Sequence, residues 1–471
     1  MEATTTPPRR ATPAAAALAG VLAGAVLVAV AELAALLLPT TTAPAAPFVA
    51  VGGAFIDIVP APVKDAVIAL FGTADKLVLF LAMGIVYALL TAGIGLLGRT
   101  APTAGRLSLA LLGIGAALIV LTRSGTGPAD AIPTLLGTAV GVTILHLLLR
   151  LAPGPSTTDA PTSSTPGTEA TRRRFLTAAS VTALAALTIG VPSRIIGGAR
   201  AAADAALARF ALPAPTHPAP PIPTDAQIDL PEMPRYLTPA EDFYRIDTAL
   251  VVPRIDPATW TLHITGMVET ELTLTLEDLL AEPLTEAHVT LACVSNPVGG
   301  DLAGNATWLG VPIRTLLDRA GVQADADMVL SRSVDGFTAS TPLDVLTDDR
   351  PSLLAVAMNG EPLPAEHGYP VRMVVPGLYG YVSATKWVEE LRVTRFADDR
   401  AYWTDRGWSE RGPIKTASRL DVPRAGHPVD PGTVRLGGTA WAPHLGISAV
   451  QVRIDDGDWR DAELGASASD D

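Results

Sequence analysis

Hydrophobic positions come in long unbroken runs in the first third of the chain and in short alternating runs afterwards. The long runs cover residues 14–38, 77–97, 107–121 (extended back to Gly105) and 132–149. About 20 apolar residues carry a helix across a bilayer core, so residues 1–151 are expected to hold four transmembrane helices. Residues 48–76 are broken by Asp57, Pro60, Pro62, Lys64, Asp65 and Asp75 and are too interrupted to span. Within them, 63–71 reads as an amphipathic helix lying on the surface. Glu32 and His146 are ionisable residues inside spans, which makes them functional candidates by default. His146 lies near the end of its span and fits a structural or interfacial role.

The pattern then weakens. Residues 152–170 are rich in Pro, Ser and Thr and read as a flexible linker. Residues 171–198 open with Thr171-Arg172-Arg173-Arg174-Phe175-Leu176 and continue as a modestly apolar run. The motif is similar to a twin-arginine export signal, and a fifth membrane-spanning helix is the plainer reading. Residues 199–235 read as a Pro/Ala-rich spacer, with 211–223 stiffened by proline.

From residue 236 the period shortens. Residues 260–266 alternate like a strand ending at a turn, while 276–280 and 313–320 read as short helices. Gly321, Gly336 and Gly360 punctuate changes of element. Strands and short helices without βαβ regularity predict an α+β domain over 236–400. Residues 401–471 hold further strands, expected at 434–441 and 447–454, with a turn at Asp455-Asp456-Gly457-Asp458.

Composition narrows the function classes. Apolar residues make up 49% of the chain, and the mean hydropathy of +0.35 exceeds that of an ordinary soluble enzyme. The net charge of −13, without a basic stripe, argues against a nucleic-acid partner. Basic residues cluster at Arg9, Arg10, Arg99, Arg106, Arg150 and Arg172 to Arg174, in alternate loops that all fall on one side of the spans, while the intervening loops are poorer in Lys and Arg. The positive-inside rule then puts the N-terminus in the cytoplasm and the domain after residue 198 outside it. A single cysteine allows no internal disulfide, Cys-based zinc site or iron–sulfur cluster. No C-x-x-C-H is present, so no haem is expected either.

That cysteine, Cys293, lies in TLACVSNPVGGDLAGNATWLG, where an apolar run meets a glycine-rich loop. Alone, the stretch fits a buried structural thiol as well as a ligand. Three further stretches accompany it: Phe243-Tyr244-Arg245-Ile246-Asp247, Ser333-Val334-Asp335-Gly336, and MNGEPLPAEHGYPVRMVVPGLYGYVSATKW from Met358 to Trp387. Together, and in this order, they resemble the sulfite-oxidase family of molybdopterin enzymes, most of all its bacterial membrane-anchored members. The resemblance implies a multi-domain chain. N-terminal transmembrane helices precede an α+β molybdopterin domain, and a partial immunoglobulin-like β-sandwich of the type that dimerises such enzymes follows. A full sandwich needs about 100 residues, so truncation, or completion by a partner strand, is expected.

By the same resemblance Cys293 is the metal ligand, and Phe243, Tyr244, Arg245, Ile246, Asp247, Asp335, His367, Arg372, Ala384, Thr385 and Lys386 contact the cofactor. Arg245 is also the candidate substrate-anion cation. A soft thiolate suits such a metal. Arg372 offers a bidentate fork and Lys386 a point charge to a cofactor phosphate. Where family sulfite oxidases carry anion-binding arginines after the cysteine, this chain has Val298-Gly299-Gly300, and Trp408 stands where a tyrosine is expected. The implied activity is oxygen-atom transfer on a small substrate, sulfur-containing among the options. A separate electron-transfer partner, a lipid bilayer and a homodimer complete the implied partners. The alternatives are a sulfoxide-type reductase on the same cofactor and a catalytically inactive membrane-bound binding module.

Overall fold

The computed structural model describes residues 11–37, 46–60, 63, 67, 70–71, 75–123, 126–153, 170–187, 212–253, 255–424 and 426–471. The surface helix expected at 63–71, the linker 152–170 and the spacer up to residue 211 fall largely outside them. The chain forms two compact units, residues 1–203 with 249–251, and residues 204–248 with 252–471.

The first unit is helical: α1 (Pro13–Leu37), α2 (Pro47–Ile58), α3 (Asp75–Thr100), α4 (Pro102–Leu121), α5 (Ile132–Leu151), and α6 over residues 170–187. Among the described residues, four stretches are long and apolar enough to cross a membrane: Pro13–Ala35, Lys76–Thr100, Pro102–Leu121 and Pro128–Leu151. Small residues set the packing. A Cβ on Gly20 would strike the Thr91 carbonyl, one on Gly95 the Ala16 carbonyl, and one on Gly137 the Leu27 carbonyl. Backbones therefore meet without intervening side chains, as bilayer helices favour. Leu77, Leu81, Ile85 and Leu89 of α3 are exposed, an outward face suited to lipid. Glu32 is buried within α1. Arg172, Arg173 and Arg174 lie exposed in α6, whose Phe175 and Ala179 pack with Ala15, Ala19 and Leu148.

The second unit is β-rich. One sheet runs β2-β1-β10-β5-β6, built from β1 (Thr261–Gly266), β2 (Leu272–Thr275), β5 (Met328–Ser333), β6 (Thr338–Pro342) and β10 (Val388–Thr394). The other runs β3-β4-β7-β8 with β9 also on β7, from β3 (Thr285–Ala292), β4 (Ala303–Pro312), β7 (Leu353–Met358), β8 (Glu361–Pro362) and β9 (Arg372–Val374). Alternation explains β1, where Leu262 and Ile264 enter the core and His263 faces out. Every residue of β7 is buried, as expected of a strand covered on both faces. The short helices α7 (Leu276–Leu280) and α8 (Ile313–Ala320) form where the sequence predicts them. Thr275 and Asp278 cap α7 reciprocally, and Gly321 at φ +71° ends α8.

Two readings change. Residues 216–220, assigned to the spacer, pair with β3: Thr216 and His217 donate main-chain N–H groups to the Leu284 carbonyl, and Glu286 donates to His217. His288 Nε2 lies 2.9 Å from the Pro220 carbonyl. The physical reason is the outer edge of β3, whose unpaired groups need a partner that non-proline residues in the stretch can supply. In 401–471 the ladders are short. β11 (Ala417–Val422) pairs β12 (Gly437–Trp441), and β13 (Gln451–Val452) pairs β14 (Arg460–Asp461), as separate two-stranded sheets. Residues 434–436 and 447–450 carry no ladder.

Candidate active site

β3 ends at Ala292 and delivers Cys293 to the turn that follows, where the Cys293 N–H donates to the Leu302 carbonyl (2.9 Å). Burial pushes the Cys293 thiol above its ordinary range, with hydrogen bonding from Ser295 opposing it. Beside it lies the Tyr244 phenol, held protonated chiefly by its own burial and further by Cys293. A Cβ on Gly380, the first residue of α9 (Gly380–Ser383), would come within 3.8 Å of the Tyr244 hydroxyl and 3.9 Å of the Ala292 carbonyl. These are ordinary contact distances, so the start of α9, the Tyr244 hydroxyl and the end of β3 pack side by side.

Residues 238–248 act as a strap across the site. Phe243 stacks on Tyr244 (5.3 Å between centroids) and meets Trp308 and His367 edge-on, each at 5.7 Å. Gly304 leaves room for that ring, since a Cβ there would be 2.7 Å from it. The Ala240 carbonyl accepts from His367 Nε2 (2.7 Å), so the imidazole carries its proton on that nitrogen. Asp247 Oδ2 accepts from Lys386 Nζ at 2.6 Å and lies 3.6 Å from Arg245 Nε. Thr248 donates to Asp335 (3.3 Å). Asn305 and Asn359 tie the strap to the sheet through the Tyr236 and Thr238 carbonyls. Asn305 thus holds the strap, and Asn296 holds the loop after Cys293 by accepting from the Leu302 N–H.

Arg372 at the start of β9 is buried over the Trp308 ring, 5.1 Å from its centroid. Its described hydrogen bonds all go to main-chain carbonyls, of His367, Met373 and Ala384. Burial pushes Arg372 down to about 10 and Lys386 down to about 8, the latter against the attraction of Asp247. Lys386 pairs with the buried carboxylate of Asp247, whereas the described hydrogen bonds of Arg372 reach only carbonyls, so among the described residues the buried part of the site sets two cations against one carboxylate. Nearby, Ser333 Oγ is buried with no hydrogen-bond partner. A phosphate-bearing pterin with polar ring edges fits this donor set, and a thiolate at Cys293 fits a soft metal.

The structure brings together Phe243, Tyr244, Asp247, Cys293, His367, Arg372 and Lys386. Arg245 and Ile246 lie at the rim, about half exposed. Ala384 contributes its carbonyl to Arg372. Thr385 faces away into the core, where its hydroxyl meets Ser331 at 2.7 Å. Ser333, Thr248 and the Glu366 carbonyl, which accepts from Lys386 at 3.0 Å, are additions that sequence reasoning did not single out. Ser333 lay within a quoted motif, and its burial is the signal that was missing.

Two tests arise from this geometry. Gly368 has φ +111°, and a Cβ there would lie 2.9 Å from Arg372 Cβ and 3.1 Å from Lys386 Cβ. Gly368→Ala should cost about 2 kcal/mol through backbone strain and crowding, seen as a lower melting temperature. His367 is pushed down to about 4, chiefly by burial. A folded-state value below the unfolded one gives stability that is full above about 6.5 and is lost as pH falls toward the folded value. His367→Gln should flatten stability between pH 4.5 and 7 by roughly 2 kcal/mol, measured by urea unfolding at both pH values.

A family model described as an oxidoreductase molybdopterin binding domain matches residues 249–403. Mouse mitochondrial sulfite oxidase (Mus musculus) is 30% identical over 272 residues, 49% of this chain and 49% of that protein. The uncharacterized oxidoreductase YuiH of Bacillus subtilis (strain 168) is 36% identical over 157 residues, 33% of this chain and 76% of that protein. This chain belongs to the sulfite-oxidase family of molybdopterin-binding oxidoreductases. Among solved structures, the sulfane dehydrogenase SoxCD from Paracoccus pantotrophus aligns with TM-score 0.43 and 27% identity over 49% of this chain and 65% of that one. The chain spans about half the length of the mouse sulfite oxidase it matches. A molybdopterin-binding domain of this family implies a molybdenum cofactor.

Proposed function

We propose that the chain is a membrane-anchored molybdopterin oxidoreductase acting on a small substrate outside the cytoplasm. The observation that carries this reading is the buried surplus of positive charge at Arg372 and Lys386, one strap away from the chain's single cysteine. The bound cofactor would supply two-electron oxygen-atom transfer, the hard chemistry that a protein only positions. Cys293 would give up its proton and ligate the metal as thiolate. Arg372 and Lys386 would neutralise the cofactor phosphate, and Asp335 and Ser333 would meet its polar ring edge. Tyr244 would keep its proton beside Cys293, and Phe243 with Trp308 would exclude water. Arg245, at the rim and half exposed, is the candidate cation for an anionic substrate.

Four long apolar helices support anchoring, and the alternation of Arg99, Arg106 and Arg150 supports an extracytoplasmic domain. We assign the twin-arginine-like stretch to the export and anchoring of that domain. Residues 401–471 are read as part of an immunoglobulin-like second domain, the element that would support a homodimer. Electrons would pass to or from a separate protein. Sulfite is the less favoured substrate, because Val298-Gly299-Gly300 stand where arginines would hold it, and sulfoxide reduction is the second reading. Molybdenum and pterin analysis of protein from a molybdenum-replete host tests the cofactor, and absence at stoichiometric level sinks the proposal. Rates with sulfite and an artificial acceptor, against sulfoxides and a reduced dye, separate the two directions.

A further inference from the structure

The loop after Cys293 is held from outside by one residue of the C-terminal segment. Its internal bonds are local: the Asn296 N–H donates to the Cys293 carbonyl (3.1 Å) and the Gly300 N–H to the Pro297 carbonyl (2.8 Å). Burial does not hold the outer turn, since Val298 is fully exposed. Arg419 on β11 reaches the loop and donates from Nη1 to the Gly300 carbonyl at 2.7 Å. Among the described residues this is the one hydrogen bond that reaches residues 294–301 from beyond the turn. The guanidinium is itself oriented. Its Nε donates to Asp421 Oδ1 at 2.6 Å, and Thr439 Oγ1 donates to Asp421 Oδ2 at 2.6 Å. Arg419 and Thr439 are cross-strand partners on β11 and β12, and Asp421 is nearly buried. Both bonds of the guanidinium are charge-assisted, and its planar fork allows two fixed directions at once.

We propose that Arg419 is a positioning residue for Cys293: the β11–β12 pair clamps the Gly300 carbonyl and so sets the thiol's presentation at the end of β3. The C-terminal segment thereby contributes to the site without touching the reacting atoms. Only the catalytic consequence of the clamp rests on the reading of Cys293 as metal ligand.

The test uses the full chain, made in a host unable to synthesise molybdopterin, with iodoacetamide alkylation of its single cysteine followed by intact mass. R419A is expected to alkylate about tenfold faster than wild type, the opening that loss of a charged hydrogen bond permits. R419K, which can still donate one bond to the carbonyl, should recover most of the protection. T439V removes the bond that fixes Asp421 but keeps the Arg419–Gly300 contact, and should accelerate alkylation by no more than about threefold, well short of R419A. A wild-type rate in R419A overturns the proposal, and so does equal acceleration in T439V. If R419A does not fold, D421N, which frees the guanidinium without deleting it, is expected to accelerate alkylation about threefold, and an unchanged rate overturns the clamp. Alkylation of molybdenum-loaded wild type separates the two readings. Rapid modification there sinks the ligand role of Cys293 and leaves the comparison among cofactor-free variants standing.

Discussion

Cys293→Ser is expected to give a folded protein that retains no molybdenum and turns over no substrate. The chain has no second cysteine to stand in. The serine oxygen is a harder and far less acidic donor than sulfur, so it suits a soft-ligated metal poorly. The structural cost should stay near 1 kcal/mol, because the position is partly exposed and the change is small. Metal analysis with a melting curve on the same preparation makes the prediction checkable. Stoichiometric molybdenum in the variant would remove Cys293 from the metal, and a collapsed melting curve would make its role structural.

Asp247→Asn should produce the largest loss of stability in the second unit. Lys386 is almost fully buried, and Asp247 accepts its ammonium at 2.6 Å. Removing one member of such a pair leaves a charge without compensation, which typically costs 3–5 kcal/mol, about that much here. Lys386, already pushed down to about 8 by burial, would fall further and shed its proton. Adding Lys386→Met should recover much of the lost stability, since an apolar replacement needs no partner. The double variant should still fail to retain cofactor, because Arg372 alone would face the phosphate. Melting temperatures of the two single variants and the double variant, with metal content beside each, separate fold from function. A double variant no more stable than Asp247→Asn would show that the pair is not the source of the cost.

The parts of this protein legible in sequence are those carried by local pattern. Apolar runs predicted the long helices to within a few residues, and alternation predicted β1 and the turn after it. Cys293 stood out because it was alone. The pairing of Lys386 with Asp247 was not legible, because 139 residues separate them and only the strap's path joins them. Where the side chain of Thr385 would lie was not legible either, because residues 384–386 precede β10 outside any ladder. Its neighbour Lys386 reaches Asp247 while Thr385 meets Ser331. The proline-rich stretch before residue 223 misled for a similar reason. Proline content signals stiffness, but whether a stiff segment stands free depends on an edge strand elsewhere in the chain.

The buried positive surplus has a consequence for the life of the protein in a cell. A ligand that binds only the folded state raises its stability by mass action, and an anionic one does so most where buried cations lack counter-charges. A chain that has not received its cofactor is then the one that opens more often. Proteases act on opened chains, so unloaded copies should be cleared faster than loaded ones, and cellular abundance should follow the supply of cofactor.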